Sequence, residues 1–324
     1  MSQISIQKYN PTFKKEWNSF VAESKNGTFL FHRDFMEYHN DRFVDYSLLV
    51  LENNKLLAIL PANQLENTIH SHQGLTYGGL VYKDLKQTKV IAVFKEILFY
   101  LNRSGFEKLM VKSIPSIYHK KPAEELLYAF FVGQAKLIRR DSLSVIDLKS
   151  NFSISKGRME GVIKAKKLNL KIVEETKFDN FWTTILIPNL EKKHKAKPVH
   201  SIEEIKYLHS HFPENIRQFN VYDEDKIVAG TTIFESEQVA HAQYISANEE
   251  KNELGSLDFL YHYLITSVYK NKKYLDFGIS NEEQGKKWNS GLGFWKESFG
   301  ASSIMQDFYE IETANYNLLE SVLI

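Results

Sequence analysis

Residues 219–234 read Phe-Asn-Val-Tyr-Asp-Glu-Asp-Lys-Ile-Val-Ala-Gly-Thr-Thr-Ile-Phe, and residues 48–63 read Leu-Leu-Val-Leu-Glu-Asn-Asn-Lys-Leu-Leu-Ala-Ile-Leu-Pro-Ala-Asn. Both stretches consist of an apolar run, an acidic or amide turn, a lysine and a second apolar run, which predicts a β-hairpin. Each is followed by a predicted strand, a glycine-bearing loop, an amphipathic helix and a further strand. The recurrence predicts a duplicated α/β unit, and a cleft in such a protein is a natural small-molecule site.

The composition is that of a soluble globular protein with room for two domains. The chain has 324 residues, of which 43% are hydrophobic and 25% charged, and its formal net charge of +1 points to no particular partner. The absence of cysteine excludes disulfides, thiolate nucleophiles and zinc-thiolate sites. The first ten residues lack the apolar core of a signal peptide, and no run reaches the roughly 18 apolar residues that span a bilayer. We therefore expect a cytoplasmic protein with no transmembrane segment.

Hydrophobic periodicity divides the chain into residues 1–150 and 151–324, with a shift to lysine after the boundary. In the first part it predicts helices over 12–22, 32–39, 90–104 and 123–134, and strands over 46–51, 56–62, 70–82, 108–114 and 143–148. In the second part it predicts helices beginning at Ser155 and Gly255 and over 181–190 and 201–211, strands over 170–173, 217–234 (the hairpin), 239–247, 274–278 and 305–311, and a polar loop over 249–253. Ser201 and Glu204 have the spacing of a capping box.

Three segments carry a resemblance to a known family: Lys156–Val173, a basic helix leading into a strand; Asn252–Asp258, between a strand and a helix; and Asn289–Gly300, around an aromatic-lysine pair. With the order of elements, they resemble the GNAT acyltransferase fold. Two such units in tandem resemble the Fem-type aminoacyl transferases and BioF2-like acetyltransferases. The resemblance implies an α/β (α+β) fold with mixed, largely antiparallel sheets flanked by helices.

The resemblance also implies a reaction. We expect N-acyl transfer from acyl-CoA, a co-substrate and not a tightly bound cofactor, to a primary amine of a small or envelope-related acceptor. The first unit would face the acceptor, and the second would hold the donor and catalyse transfer. One alternative is a Fem-like transferase that uses aminoacyl-tRNA and acts on a peptidoglycan precursor, although the long helical arm of many Fem enzymes is missing. Another is a non-catalytic binding or scaffold protein. We expect no DNA partner.

The donor is expected at the start of the helix near residue 255. Backbone amides at a helix N-terminus bind phosphates, because they are unpaired donors at the positive end of the helix dipole. The alternative is an ordinary helix cap with Ser256 as the N-cap. The predicted pyrophosphate-binding residues are Leu254, Gly255, Ser256 and Leu257.

Lys296 is the first predicted catalytic residue. A lysine held among Phe294, Trp295 and Phe299 would stabilise a developing oxyanion or neutralise a phosphate, and the resemblance implies a role for this lysine in acyl transfer. The alternative is a surface lysine beside a core aromatic cluster.

The strand over 239–247 supplies the other two predicted catalytic residues. Strict alternation places His241, Gln243 and Ile245 on one face, with Ala242, Tyr244 and Ser246 on the other. We expect His241 to accept the proton of the attacking amine, Gln243 to orient the acceptor and Tyr244 to contact it. The alternative for each is a hydrogen-bonded core side chain.

Further substrate-binding residues are predicted in two places. Asp276, Ser280 and Asn281 follow the next strand and form a plausible amine-binding corner, to which we add Asn289; Asp276 alternatively caps a turn. In the first unit the glycines of Ser71–Gly79 permit close approach of a ligand to His72 and Tyr77. The alternative for that segment is a bulged edge strand.

Two basic stretches, 156–171 and 192–197, offer contacts to the phosphates of tRNA, coenzyme A or a nucleotide-linked sugar; the alternative is a solvated surface. His209 and His211 share a short helix without a further ligand at a recognisable spacing, so we assign no metal.

Overall fold

The computed structural model describes residues 4–322, apart from the side chains of residues 193 and 194. The chain divides into two compact units: the first contains Met1–Asp141, Gln284–Lys286 and Met305–Ile324, and the second contains Ser142–Glu283 and Lys287–Ile304. This division differs from the predicted one, 1–150 and 151–324. The chain passes from one unit to the other within a strand, and the C-terminal strand belongs with the first unit through long-range pairing that no local pattern reveals.

Helices and strands follow one another along the whole of the described chain. Up to residue 147 they are β1 (Ile4–Lys8), α1 (Lys14–Glu23), α2 (Arg33–Met36), β2 (Val44–Asp45), β3 (Leu48–Glu52), β4 (Lys55–Leu60), β5 (Asn63–Leu65), β6 (Thr68–His70), β7 (Val81–Tyr82), α3 (Gln87–Arg103), β8 (Lys108–Lys112), α4 (Glu125–Val132) and β9 (Lys136–Asp147). The remainder are α5 (Lys156–Lys167), β10 (Lys171–Glu175), α6 (Asp179–Phe181), a π-helical turn (Trp182–Leu186), α7 (Ile187–His194), α8 (Ile202–His211), β11 (Ile216–Asp223), β12 (Lys226–Glu235), β13 (Val239–Ala247), α9 (Lys251–Leu254), α10 (Ser256–Tyr263), a second π-helical turn (Leu264–Val268), β14 (Tyr274–Ile279), β15 (Asn281–Glu282), β16 (Lys287–Trp288), α11 (Ser290–Glu297) and β17 (Ser302–Glu312).

Both predicted hairpins are present, one in each unit. β3 pairs with β4 in the order β1-β3-β4-β7, and β11 pairs with β12 in the order β10-β11-β12-β13; all of these pairs are antiparallel. A helix and a strand follow each set, α3 and β8 in the first unit and α10 and β14 in the second. The predicted α+β class and the duplicated, largely antiparallel units are confirmed.

The single strand predicted over residues 70–82 is wrong. β6 ends at His70 and pairs with β8, whereas β7 pairs with β4, and the residues between them form a loop. Gly78 lies against the backbone of Ser71, since a Cβ on Gly78 would fall 1.7 Å from the Ser71 carbonyl oxygen. The glycines that suggested a bulge or a ligand therefore let the loop fold back on its own chain.

Helix α3 forms the centre of the first unit's core, as its periodicity predicts. Its buried residues include Ile91, Phe94, Ile97, Leu98 and Leu101, which pack with both β-hairpin strands. The helix ends before Gly105, whose φ of +86° is in the left-handed region that favours glycine after a helix. Of the helices within residues 4–322, none is long and apolar enough to cross a membrane.

The sheet of the second unit has the order β10-β11-β12-β13-β14, continued by the part of β9 that belongs to this unit. The helical segment from α6 to α7 covers one face: the Trp182 indole donates to Thr232 on β12, and Phe181 lies over Gly230. Helices α5 and α10 cover the other face, where they pack closely together. Both faces are thus buried, which explains the nearly continuous apolar run of β12.

Serine caps begin α5 and α8 as predicted. Ser155 accepts from the amide of Arg158, and Ser201 forms the full capping box with Glu204. The predicted polar loop over 249–253 is wrong in its second half, since Lys251–Leu254 forms the short helix α9. That turn of helix leads directly into Gly255 and α10.

Two buried histidines make the first unit sensitive to acid. His39 and His72 are 1% and 4% exposed, with ring centroids 5.1 Å apart. Burial lowers the pKa of His39 to about 4 and that of His72 to about 3, from an ordinary 6.5. Both rings are neutral in the folded protein, whereas the unfolded chain binds protons below pH 6.5. The contribution of these two histidines to stability is therefore fully present above pH 6.5, and it is lost as the pH falls from 6.5 toward 4.

At pH 5 we expect a loss of roughly 2 kcal/mol in the free energy of unfolding for each of these histidines. Urea unfolding at pH 7.5 and pH 5 measures the loss. Between pH 7.5 and pH 5, His72→Asn should lose less free energy of unfolding than the original protein, because asparagine does not titrate. Asparagine also tolerates the φ of +70° at this position. His211→Asn, on an exposed residue, is the control. An unchanged pH dependence in His72→Asn would contradict the assignment.

Candidate active site

A β-bulge in β13 sets the orientation of the predicted catalytic strand. The register with β12 shifts between Ala242 and Tyr244, so Gln243 is the extra residue. Because the bulge moves the following side chains to the opposite face, the predicted alternation is wrong beyond Ala242. Residues that lie opposite each other on antiparallel strands share a face. One face carries His241, Tyr244 and Ser246, and the other carries Ala242 and Ile245.

A gap opens between β13 and β14. These strands are parallel and pair only over three positions, the last of which joins His241 to Asp276. Beyond it β13 continues to Ala247 without pairing to β14. Beyond this position the backbones of β13 and β14 no longer bond to each other.

His241 and Asp276 form a hydrogen-bonded pair at this last position. His241 Nδ1 lies 2.9 Å from Asp276 Oδ2, with side chains 12% and 1% exposed. Because a carboxylate only accepts, Nδ1 donates and the imidazole presents Nε2 as a proton acceptor. The other Asp276 oxygen accepts from the amide of Gly278 at 2.7 Å. The alternative role of Asp276 as a turn cap is therefore also realised, and the turn holds the carboxylate in place.

Lys296 reaches the same glycine from α11. Its Nζ donates to the carbonyl oxygens of Gly278 at 3.0 Å and Ile279 at 2.6 Å, and the residue is 2% exposed. Burial lowers its pKa to about 8, and Asp276 partly opposes this change. Lys296 is thus a buried amine and not a surface lysine.

The aromatic environment predicted for Lys296 is partly wrong. Trp295 and Phe299 pack on each other and on Phe277 in the core, but Phe294 is 69% exposed. On a helix, consecutive residues point in different directions, so one of three neighbouring aromatic residues faces solvent.

Gly278 is the point at which these groups converge. Its amide binds Asp276, its carbonyl accepts from Lys296, and a Cβ at this position would lie 3.3 Å from His241 Cε1. Its φ is +71°, which glycine adopts readily. The glycine thus joins a proton acceptor and a buried ammonium within one turn of backbone.

A cavity of about 600 Å³ lies beside the C-terminal end of β13, between α7, the first turn of α10 and α11. Apolar side chains such as Leu190, Ile245 and Trp295 form much of its wall. Two predicted site residues, Leu257 and Asn289, also line it, whereas His241, Gln243 and Lys296 do not. Polar side chains, among them Arg158, Asn189 and Asp258, form the rest of the wall.

The predicted pyrophosphate anchor is packed against α5. Gly255 has a φ of +66°, and a Cβ there would fall 2.2 Å from the carbonyl oxygen of Gly161. Ser256 is fully buried, and its hydroxyl lacks a hydrogen-bond partner in the described part of the chain. Leu254 ends α9, and Gly255, not Ser256, is the N-cap of α10. The glycine at 255 thus serves the contact between two helices.

A carboxylate also occupies the first turn of α10. Asp258 Oδ1 accepts from Arg158 Nη1 at 2.7 Å, and both residues line the cavity. Burial raises the pKa of Asp258, and the Arg158 guanidinium opposes this change. An acid in this turn already interacts with the positive end of the helix dipole.

Tyr244 has a partner that the sequence does not reveal. Its hydroxyl lies 2.6 Å from His200 Nδ1 and accepts from the His200 amide at 3.2 Å, and burial raises its pKa to about 12. Neighbouring Gln243 has a buried Oε1 without a hydrogen-bond partner among residues 4–322. His200 precedes the cap of α8 and is 44 residues away in the chain, so only tertiary structure joins it to β13.

The remaining predicted residues of the second unit have distinct surroundings. Ser280 is 2% exposed, and its hydroxyl lacks a partner within the described residues. Asn281 accepts from the amide of Ser142 at 2.6 Å. Asn289 caps α11 through the amide of Leu292. Ser280 follows the two carbonyls that hold Lys296, whereas the two asparagines have structural bonds.

His72 and Tyr77 belong to the first unit and are both core residues. Tyr77 is 2% exposed and His72 is 4% exposed. The Tyr77 hydroxyl donates to Thr28 at 3.0 Å. Neither is placed to meet a ligand without movement of the loop.

The basic stretches are largely solvated. Four lysines of α5 are exposed: Lys156, Lys164, Lys166 and Lys167. Lys192 pairs with Glu249, and the side chains of residues 193 and 194 lie outside the described residues.

Comparison with solved structures identifies the fold. The chain is similar to FemX (TM-score 0.68, 10% identity, covering 97% of this chain and 99% of FemX) and to L-PGS from Bacillus licheniformis (TM-score 0.61, 12% identity, covering 93% and 91%). It is also similar to a conserved protein of unknown function from Bacteroides thetaiotaomicron (TM-score 0.58, 8% identity, covering 96% and 99%). No model of a protein family and no curated protein matches the sequence. The chain therefore has the GNAT-like, Fem-type fold that its sequence predicts.

Proposed function

We propose that the second unit is an acyltransferase that moves an acyl or aminoacyl group to a primary amine by direct attack. The observation that carries the proposal is the convergence of the His241–Asp276 pair and the Lys296 ammonium on Gly278, where β13 and β14 stop pairing. The likeness to FemX and to a domain of a putative lysylphosphatidylglycerol synthetase supports acyl transfer in general, and the choice of an amine as acceptor is part of the proposal. The proposed acceptor is a primary amine of a small or envelope-related molecule.

In this reaction the acceptor nitrogen forms a bond to the donor carbonyl carbon, and the bond from that carbon to the donor's oxygen or sulfur breaks. The nitrogen loses a proton, which His241 accepts at Nε2, and the leaving oxygen or sulfur takes up a proton. Asp276 holds the tautomer that leaves Nε2 free of hydrogen and stabilises the imidazolium that forms. No covalent enzyme intermediate is required.

Lys296 stabilises the negative charge that develops on the carbonyl oxygen. An ammonium has three N–H donors, and two carbonyls occupy two of them, which leaves one for the oxyanion. Because the amine is buried, its charge acts through a medium of lower effective dielectric than water. A pKa of about 8 keeps it mostly protonated at neutral pH.

We propose an aminoacyl ester such as aminoacyl-tRNA as the donor, in preference to acyl-CoA. Acyl-CoA, the expectation from sequence, needs its pyrophosphate at the first turn of α10. There Gly255 is packed against Gly161, and the Asp258 carboxylate, paired with Arg158, already occupies the first turn of the helix. The cavity beside β13 suits the acyl portion of either donor.

We therefore expect acetyl-CoA to leave the thermal midpoint of the purified protein unchanged. A ligand bound only by the folded state at 100 times its dissociation constant adds about 2.7 kcal/mol, which such an experiment detects. A known acyl-CoA-dependent acetyltransferase serves as the positive control. A dose-dependent rise would return acyl-CoA as the donor.

Turnover with charged tRNA and a panel of amines, followed by mass spectrometry of the aminoacylated product, tests the reaction itself. Loss of turnover with every donor would favour the third alternative, a binding or scaffold protein of the same fold.

A further inference from the structure

The first unit contains a lysine whose charge has no carboxylate partner. Lys112 is the last residue of β8, and its side chain is only partly exposed. Its Nζ donates to the carbonyl oxygen of Leu75 at 2.7 Å, and within residues 4–322 no carboxylate lies within ion-pair distance of it. Removing an ammonium from water without a counterion costs free energy. A lysine in this position therefore suggests that its charge has a function.

The nearest charged groups leave the surroundings of Lys112 positive. Arg139 on β9 donates to both oxygens of Asp141 at 2.7–3.1 Å, so this carboxylate already has a cationic partner. Both Lys112 and Arg139 lie over the ring of Phe308, at 5.7 and 4.5 Å from its centroid. Burial and Arg139 lower the pKa of Lys112 to about 8, against the opposing effect of Asp141.

The loop that covers Lys112 is held firmly. Its two ends bond to β8, through the Ser71 amide to Met110 and the Gly78 amide to the Lys112 carbonyl. Gln306 on β17 donates to the carbonyl of Thr76 within the loop. Among the described residues, only the Leu75 carbonyl accepts a hydrogen bond from the Lys112 ammonium, which has three donors. The lysine is therefore oriented in advance and retains hydrogen-bonding capacity.

We infer that Lys112 is the centre of an oxyanion-binding subsite in the first unit, which takes a carboxylate or phosphoryl group of a ligand. An anion would neutralise the unpaired ammonium and accept the hydrogen bonds that Leu75 leaves unused, and Arg139 would add to the attraction. The inference goes beyond the proposed function, because it assigns a ligand class to a place outside the second unit. Binding is measured without turnover, so it fails or succeeds independently of the transferase proposal.

The test measures the binding of sulfate and of acetate by isothermal titration calorimetry at constant ionic strength, at pH 7 and pH 9.5. Sulfate represents a phosphoryl group and acetate a carboxylate, and neither changes its charge over this range. Because the protonated fraction of a group with a pKa of about 8 falls from about 0.9 to about 0.03, the apparent affinity should fall about 30-fold.

Three variants make the result specific. Lys112→Met should abolish binding. Lys108→Met removes the same charge from the half-buried start of β8 and should leave binding unchanged. Lys112→Arg should bind without the loss at pH 9.5. Binding of sulfate alone or of acetate alone identifies the source of the oxyanion. The inference is overturned if neither anion binds at tens of millimolar, or if Lys112→Met binds as the original protein does. Far-ultraviolet circular dichroism verifies that each variant is folded. If Lys112→Met does not fold, the pH dependence of binding in Lys112→Arg tests the inference instead.

Discussion

Replacing Lys296 by methionine is expected to slow acyl transfer by about 10²- to 10³-fold, the cost of removing one preorganised oxyanion donor. The side chain keeps its length and packing, but it loses the ammonium that Gly278 and Ile279 orient. Stability should change little, because the loss of two hydrogen bonds is offset by no longer burying a charge. Initial rates with the donor that gives turnover, together with the thermal midpoint, measure the two effects.

The pH profile separates this role from a structural one. Since the ammonium must be protonated, the rate should decline as the pH rises through about 8. Lys296→Arg should retain its own rate to higher pH, because a guanidinium stays charged there. Lys287→Ala, on an exposed lysine, is the matched control. Unchanged turnover in Lys296→Met would remove this residue from the mechanism.

The second large effect is expected at the His241–Asp276 pair. His241→Ala should lower the rate by about 10²- to 10⁴-fold through loss of the proton acceptor. Asp276→Asn should approach the same loss with the imidazole still present, because an asparagine amide donating to Nδ1 would place the hydrogen on Nε2. Gly278 can still donate to the asparagine oxygen, so the turn is expected to survive.

The double variant tests whether the two residues act as one unit. Their effects should then be far from additive, with the double variant little slower than His241→Ala alone. His211→Ala, on the exposed face of α8, controls for the loss of a histidine. Additive losses, or normal turnover in Asp276→Asn, would contradict the assignment of Asp276 as the positioning residue.

Much of the fold is predictable because it depends on local patterns. The hairpins at β3–β4 and β11–β12 follow from apolar runs around polar turns, α3 from its 3.6-residue period, and the start of α8 from the Ser201–Glu204 box. The loop over residues 71–80 is not predictable in this way. A glycine in a strand pattern indicates that another group approaches the backbone, but it does not identify that group. In this case the approaching group is the chain itself, at Ser71.

The candidate site is less predictable than the fold. His241, Asp276 and Lys296 are named by residue type and neighbouring motif, but the bulge at Gln243 reverses the face of Tyr244, and a one-residue bulge has no signal in an alternating sequence. The same limit applies to Gly255. Its position before a helix suggests a phosphate loop, whereas the structure places Gly161 and Asp258 there.

Composition and short-range periodicity suffice to predict the two hairpin-centred units, the helix caps and the residue types available for acyl transfer. Which of these residues meet depends on long-range packing. Residues far apart in the chain are joined by three contacts: His200 with Tyr244, Lys296 with Gly278, and Lys112 with Leu75. Such contacts form only when strands and helices pack, because burial and orientation are properties of the assembled core and not of any single segment.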